Sequence, residues 1–338
     1  MRAILALAVV AAACFLSYSY GEHHSFAFPE QDAAGNVVQE GDNPFIFLYG
    51  HLIPVPLVKH AAPGHADEHA GDGHHAKAPL LFAVPVSGAL EIAAHRTPED
   101  PGYDGYYAGV TNLQIFQFTA VLLVLILLSG VPNSVRSGGG DRLSRIFAGW
   151  CMWIRDEMVY PAMGRDTGRK FLPFFLSIFF FILFMNLLGL VPFSATATAS
   201  VFVTAALATI TLVSMIVFGM VAQGPLAFWK NLVPHVPLAL WPLMFVVELV
   251  GLCVKPFALM IRLFANMTGG HMVVLSFMGL IFYFAISMGA SAGYGIAPVG
   301  VGFAVFIMII EIFVAMLQAF IFTQLSILFI QASVHPEH

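Results

Sequence analysis

Charge is what this chain has least of. Only 10% of its 338 residues are Asp, Glu, Lys or Arg, while 59% are hydrophobic, and an ordinary soluble domain carries about 25% charged residues. Such a chain has too little polar surface to cover a globule in water, which excludes a soluble fold for most of its length. The few basic residues form no stripe, and that excludes a nucleic-acid surface. Cysteine is scarce as well: Cys14, Cys151 and Cys253 stand far apart, with no CxxC pair and no metal-ligand spacing. Their expected role is apolar packing. The glycine-rich stretch SGGGD at 137–141 lacks the Lys-Ser/Thr of a phosphate-binding loop, so nucleotide hydrolysis is not expected of this chain. Related halves with matching broken helices, common in secondary transporters, are also missing.

What is present is a series of apolar runs of about 20 residues, the length that crosses a bilayer core. The expected fold is therefore an all-α integral membrane protein. Before the runs begin, residues 1–20, MRAILALAVVAAACFLSYSY, have one basic residue, an apolar core and then small and polar residues. That is the layout of a secretory signal, with an uncleaved anchor helix as the alternative reading. Residues 21–110 form a polar, Pro- and Gly-rich extension expected outside the cytoplasm. It contains KHAAPGHADEHAGDGHHAK, with His60, His65, His69, His74 and His75 close together. A His-rich tract can hold metal, but no carboxylate or thiol stands at fixed spacing beside these histidines. The tract reads as a solvated loop, and no cofactor or metal is assigned.

Membrane-crossing segments are expected at about 113–131, 171–191, 200–222, 242–288 and 299–332, within a membrane domain of 111–333 followed by a short tail, 334–338. Between the first two, residues of about 141–163 place Leu143, Ile146, Phe147, Trp150, Trp153 and Ile154 on one helical face, the pattern of an amphipathic interfacial helix. The same loop carries Arg136, Arg142, Arg145, Arg155, Arg165, Arg169 and Lys170, so the positive-inside rule puts it in the cytoplasm. The N-terminus is then extracytoplasmic and the C-terminus cytoplasmic. The run 242–288 is far longer than one upright span needs, so it is expected to be tilted, broken or both, with Pro256 and Gly269-Gly270 as break points. The stretch GASAGYGIAPVG, 289–300, reads as a glycine-rich turn.

An ionisable group deep in a bilayer costs about 2.5–3.5 kcal/mol on insertion scales. Each one inside these runs is therefore a functional candidate. The long run holds Glu248, Lys255, Arg262 and His271, with Asn266 as a neutral companion, and the last run holds Glu311 and Gln318. Glu248, Lys255 and Arg262 are seven apart and Asn266 is four further on, so all four share one helical face. His271, nine residues from Arg262, is rotated to the far side. Glu311 and Gln318, seven apart, share a face. Arg262 cannot shed its proton, and no carboxylate stands within a turn or two of it. A partner from another subunit is the expected answer.

Two motifs, KPFALMIRLFANMTGGH from Lys255 and EIFVAMLQAFIFTQLS from Glu311, sharpen this. With MNLLGLVPFSATATASVFVTAALA from Met185, containing Asn186, Gly189 and Pro192, the sequence from about 110 to 333 resembles subunit a of F-type ATP synthases. The resemblance implies a non-catalytic stator half of a membrane proton channel, in which Arg262 faces a ring of c subunits bearing membrane-embedded carboxylates. It implies Asn266 and Gln318 beside the arginine, His271 and Glu311 along an outer half-channel, and Glu248 on the inner side. The implied partners are the c-ring, b-type peripheral stalk subunits, the soluble F1 sector that carries the ATP chemistry, and the lipid of a bacterial inner membrane. Some bacterial members have an acid where this chain has His271 and a histidine where it has Glu311. The exchanged pair preserves one acid and one imidazole where the two helices face each other. A self-contained secondary ion transporter is the alternative function.

Overall fold

The computed structural model describes residues 2–20, 111–137, 141–191, 196–233, 237 and 240–334, together with the backbone of short strands between the first two stretches. Those strands are β1 (Glu30–Gln31) antiparallel to β2 (Val37–Gln39), and β5 (Tyr106–Gly109) flanked by β3 (Ala83–Val86) and β4 (His95–Arg96). The clustered histidines at 60–75, Pro192 and residues 335–338 lie outside the described residues. Among the described residues from 112 onward the architecture is all-α, with five helical stretches long and apolar enough to cross a membrane.

The helices are α1 (Arg2–Tyr20), α2 (Asn112–Leu128), α3 (Val131–Ser137), α4 (Arg142–Trp153), α5 (Tyr160–Gly189), α6 (Val201–Gln223), α7 (Pro225–Asn231), α8 (Trp241–Met288) and α9 (Ala290–Val334). Local chemistry sets several of their ends. The Gln114 side chain accepts a hydrogen bond from the Thr111 N–H at 3.2 Å, satisfying a donor at the start of α2. Helix α6 stops at Gly224, whose φ of 92° suits a residue without a β-carbon, and Pro225 then opens α7. A π-helical turn, Ile154–Val159, joins α4 to α5, and Gly164 at φ 73° redirects the chain within α5.

The core forms around α5, whose phenylalanine run buries Phe175, Phe179 and Phe180. Phe147 of α4 meets Phe180 and Phe184 at ring-centroid distances of 5.6 and 6.1 Å, and Trp150 meets Phe179 at 6.2 Å. The amphipathic face expected of this helix is only partly the face that packs. Ile154, just past its end, is buried as expected, but Ile146 and Trp153 are exposed while Ser144, Ala148 and Cys151 are buried, because α4 turns its small residues toward the bundle and reaches α5 with Phe147 and Trp150. Cys14 is half-buried and Cys151 buried, whereas Cys253 is exposed on the outer side of α8, beside Val250, Val254 and Phe257. Packing within this chain therefore does not account for Cys253.

Helices α8 and α9 form a long antiparallel hairpin. Its register is marked by Phe277 stacked on Phe303 at 5.1 Å, His271 beside Glu311, Asn266 beside Gln318, and the Lys255 ammonium 5.7 Å from the centre of the Phe329 ring. Neither expected break point interrupts α8. Pro256 is buried inside the continuous 48-residue helix, which loses the hydrogen bond a proline cannot donate. A helix of that length extends about 72 Å, more than twice the hydrocarbon core of a bilayer. Because no break shortens it, a helix of this length fits that core only when tilted.

The turn expected over 289–300 is also different, since only Gly289, at φ 92°, leaves the helical conformation and α9 starts at Ala290. The neighbouring glycines serve packing. A β-carbon at Gly293 would lie 2.6 Å from the Ala285 β-carbon, and one at Gly300 would lie 2.9 Å from Ile281. Small residues let two membrane helices approach closely, so glycine-rich sequence here means contact and not a loop.

Candidate functional site

Each helix of the hairpin contributes two surfaces. On α8 the buried stripe is Leu252, Pro256, Leu259, Leu263 and Met267, at spacings of three and four that follow one face of a helix. Lys255, Arg262 and Asn266 fall outside this stripe and are exposed, and Glu248 is half-buried. Among the described residues no carboxylate lies within ion-pairing distance of Arg262, and Glu248 has no hydrogen-bond or ion-pair partner. The structure therefore does not bring Glu248 and Arg262 together. It presents the guanidinium on the exposed side of α8, where Lys255 and Asn266 share its face and the apolar Val246, Val247, Val250, Val254, Phe257 and Ile261 are exposed alongside.

One turn beyond Arg262, the Asn266 amide donates to Gln318 Oε1 at 2.9 Å. Gln318 is buried on α9, so this bond joins the exposed polar face of α8 to the interior of the hairpin. A second tie lies close by. Asn186 Nδ2 on α5 donates to the Ala315 carbonyl at 3.4 Å, linking α5 to the same segment of α9.

His271 and Glu311 form the other surface. The His271 ring turns away from Arg262, as nine residues of helix require, and is half-buried between α5, α8 and α9. Its Nδ1 lies 3.5 Å from Glu311 Oε1 and 3.1 Å from the Met267 carbonyl. Its Nε2 lies 2.8 Å from Thr196 Oγ1 and 3.1 Å from the Gly189 carbonyl. Glu311 is 7% exposed, and its Oε1 makes no hydrogen bond among the described residues. The 3.5 Å approach to His271 is thus an ion-pair contact without a directed hydrogen bond. Space for this carboxylate comes from Gly270, where a β-carbon would collide with it.

Of the residues singled out by helical spacing, the fold joins Asn266 to Gln318 and His271 to Glu311. Thr196, Gly189 and Met267 are additional members of the site. Gly189 and Met267 contribute backbone carbonyls, which side-chain chemistry cannot flag. Thr196 belongs to a chargeless connection between two spans, where a hydroxyl carries no insertion cost large enough to attract notice.

The ATP synthase A chain family model matches residues 114–331. ATP synthase subunit a of Myxococcus xanthus is 46% identical over 234 residues, covering 68% of this chain and 74% of the relative. The corresponding subunit of Chloroherpeton thalassium is 37% identical over 238 residues, 69% of each chain. ATP synthase subunit a 2 of Chlorobium luteolum is 36% identical over 282 residues, 80% of this chain and 78% of the relative. The matched region runs from Gln114 in the first full span to Gln331 near the end of the hairpin, and includes Asn186, Thr196, Glu248, Arg262, Asn266, His271, Glu311 and Gln318. This chain belongs to the ATP synthase subunit a family of multi-pass membrane proteins.

Proposed function

We propose that the chain is the proton-conducting stator subunit of an F-type ATP synthase, with Arg262 as the gate between two offset half-channels. The observation that carries this is the exposed Arg262 guanidinium, set in a long apolar helix without a carboxylate partner among the described residues. A fixed positive charge in that setting needs a counter-ion, and a rotating ring of c subunits, each with a membrane-embedded carboxylate, supplies one in turn. The ring carboxylate must be protonated to face lipid and ionised to pass Arg262, whose charge favours the ionised form. A proton released there leaves by the inner side, near Glu248. The next proton arrives from the outer side past His271 and Glu311.

Each proton that crosses 100 mV yields about 2.3 kcal/mol. Arg262 prevents that energy from being lost, because a cation between the half-channels blocks direct proton passage and forces the long route around the ring. Asn266 and Gln318 hold the α8–α9 register next to the gate. On this reading the chain has no catalytic centre. The soluble F1 sector performs the ATP chemistry, b-type stalk subunits hold the stator still, and the protein sits in a bacterial inner membrane with its N-terminus outside and its C-terminus in the cytoplasm.

The test is ATP-driven acidification of liposomes containing the whole complex. Arg262→Ala is expected to abolish coupled pumping while the subunit still assembles. Normal coupled pumping by that variant would overturn the proposal.

A further inference from the structure

We propose that Thr196 is a positioning residue for His271, a hydroxyl that reverses its hydrogen bond as the imidazole gains or loses a proton. The inference rests on the proton path proposed above and adds to it a residue outside the charged set. Thr196 is 2% exposed. Its Oγ1 lies 2.8 Å from His271 Nε2 and donates to the Gly189 carbonyl at 3.3 Å.

The donor and acceptor inventory around the ring decides the matter. On the Nδ1 side stand the Met267 carbonyl and the Glu311 carboxylate, both acceptors while Glu311 is ionised, so Nδ1 must carry a hydrogen. On the Nε2 side stand the Gly189 carbonyl, which can only accept, and the Thr196 hydroxyl, which can do either. In the imidazolium, Nε2–H donates to the Gly189 carbonyl or to Thr196 Oγ1, and the hydroxyl hydrogen remains on the Gly189 carbonyl. In the neutral ring Nε2 has a lone pair, and Thr196 is the one donor within reach among the described residues. The hydroxyl then rotates to donate to Nε2. Without it the neutral ring would bury an unsatisfied nitrogen, which is costly in a low-dielectric setting.

The titratable group facing the ring is Glu311 from α9. Helix α5 and the 3-10 turn Ala197–Ala199 present no ionisable side chain to it, and on α8 itself the nearest charge is Arg262, nine residues away on the opposite face. Gly189 completes the arrangement, because a β-carbon there would stand 2.9 Å from Thr196 Cγ2.

The experiment measures the initial rate of ATP synthesis by the whole complex in liposomes, at fixed membrane potential, as a function of luminal pH on the proton-uptake side. Thr196→Val keeps the shape and removes the donor, disfavouring neutral His271. Its rate profile is expected to move toward higher pH by on the order of one unit, a tenfold change in proton affinity. Thr196→Ser is expected to restore the native profile, and Thr196→Ala provides the shift should the valine variant fail to assemble. A profile for Thr196→Val or Thr196→Ala that superimposes on the native one overturns the inference, as does a serine variant shifted as far as the others. His271→Ala separates this from the underlying path: full synthesis in that variant removes His271 from the route and the role of Thr196 with it. Lost synthesis in His271→Ala together with an unmoved Thr196→Val profile overturns only the Thr196 role.

Discussion

The carboxylate of Glu311 occupies the space that a β-carbon on residue 270 would fill. Gly270 is helical, so it is needed for the room it leaves and not for backbone freedom. A glycine inside a helix costs roughly 1 kcal/mol relative to alanine, and here that cost seats the carboxylate proposed to lie on the proton path. Gly270→Ala should therefore displace Glu311 and lower proton-driven ATP synthesis by about tenfold or more, an overpacking effect of roughly 1–3 kcal/mol. Shortening the acid with Glu311→Asp in the same chain should recover part of the loss. Synthesis rates of the single and double variants decide it, and an unimpaired Gly270→Ala complex would show that the carboxylate can sit elsewhere.

Glu311→Gln keeps the size of the side chain and removes its charge. Proton uptake should fall at every pH while the subunit remains in the purified complex. Native electrophoresis checks assembly and acid-bath-driven ATP synthesis checks flux. Unchanged flux across the pH range would take Glu311 off the path.

The Asn266–Gln318 hydrogen bond, at 2.9 Å, fixes the register next to Arg262. Interhelical hydrogen bonds in membrane proteins contribute about 0.6 kcal/mol on average and up to about 1.7. Thermal dissociation of the subunit, compared among Asn266→Ala, Gln318→Ala and the double variant, should give a coupling energy in that range. Strict additivity of the two single effects would mean the bond contributes nothing.

Gly289 turns the chain between α8 and α9 at φ 92° and ψ 161°, a conformation that costs a residue with a side chain on the order of 1–3 kcal/mol. Gly289→Ala should lower the temperature at which the complex loses pumping by a few degrees, leaving the rate at lower temperature intact. A comparable substitution at Gly295, which has open space around its α-carbon and lies within α9, should leave the midpoint unchanged. Equal midpoints for the two variants would refute the strain at Gly289.

Helical arithmetic reads the two faces of α8 well. Intervals of seven and four place Lys255, Arg262 and Asn266 on one side of a helix, and nine residues carry His271 to the other. Those intervals depend only on the pitch of the helix, and α8 keeps that pitch through Pro256. The glycines are harder. GASAGYGIAPVG reads equally well as a turn or as a close helix contact, because absence of a side chain serves both, and only the partner helix with Ala285 and Ile281 decides. Thr196 was illegible for a related reason: its meaning comes from His271, 75 residues away in sequence, and no local pattern encodes that meeting. Ile146 and Cys253 show the same limit, since the face a residue takes depends on neighbours that other segments supply.

The length of α8 has a geometric consequence for how its charges are spaced. A helix of about 72 Å whose apolar run stays in a layer about 30 Å thick climbs less than half an ångström for each ångström of its length. The nine residues between Arg262 and His271 span roughly 13 Å of axis, yet they differ in depth by only about 6 Å. On the proposed path, gate and inlet would therefore be displaced mainly sideways, along the plane of the bilayer. Two half-channels of the kind proposed, opening on opposite membrane faces, would thus end at nearly the same depth, side by side, and a ring carboxylate carried in a circle within that plane would pass from one to the other without changing its height.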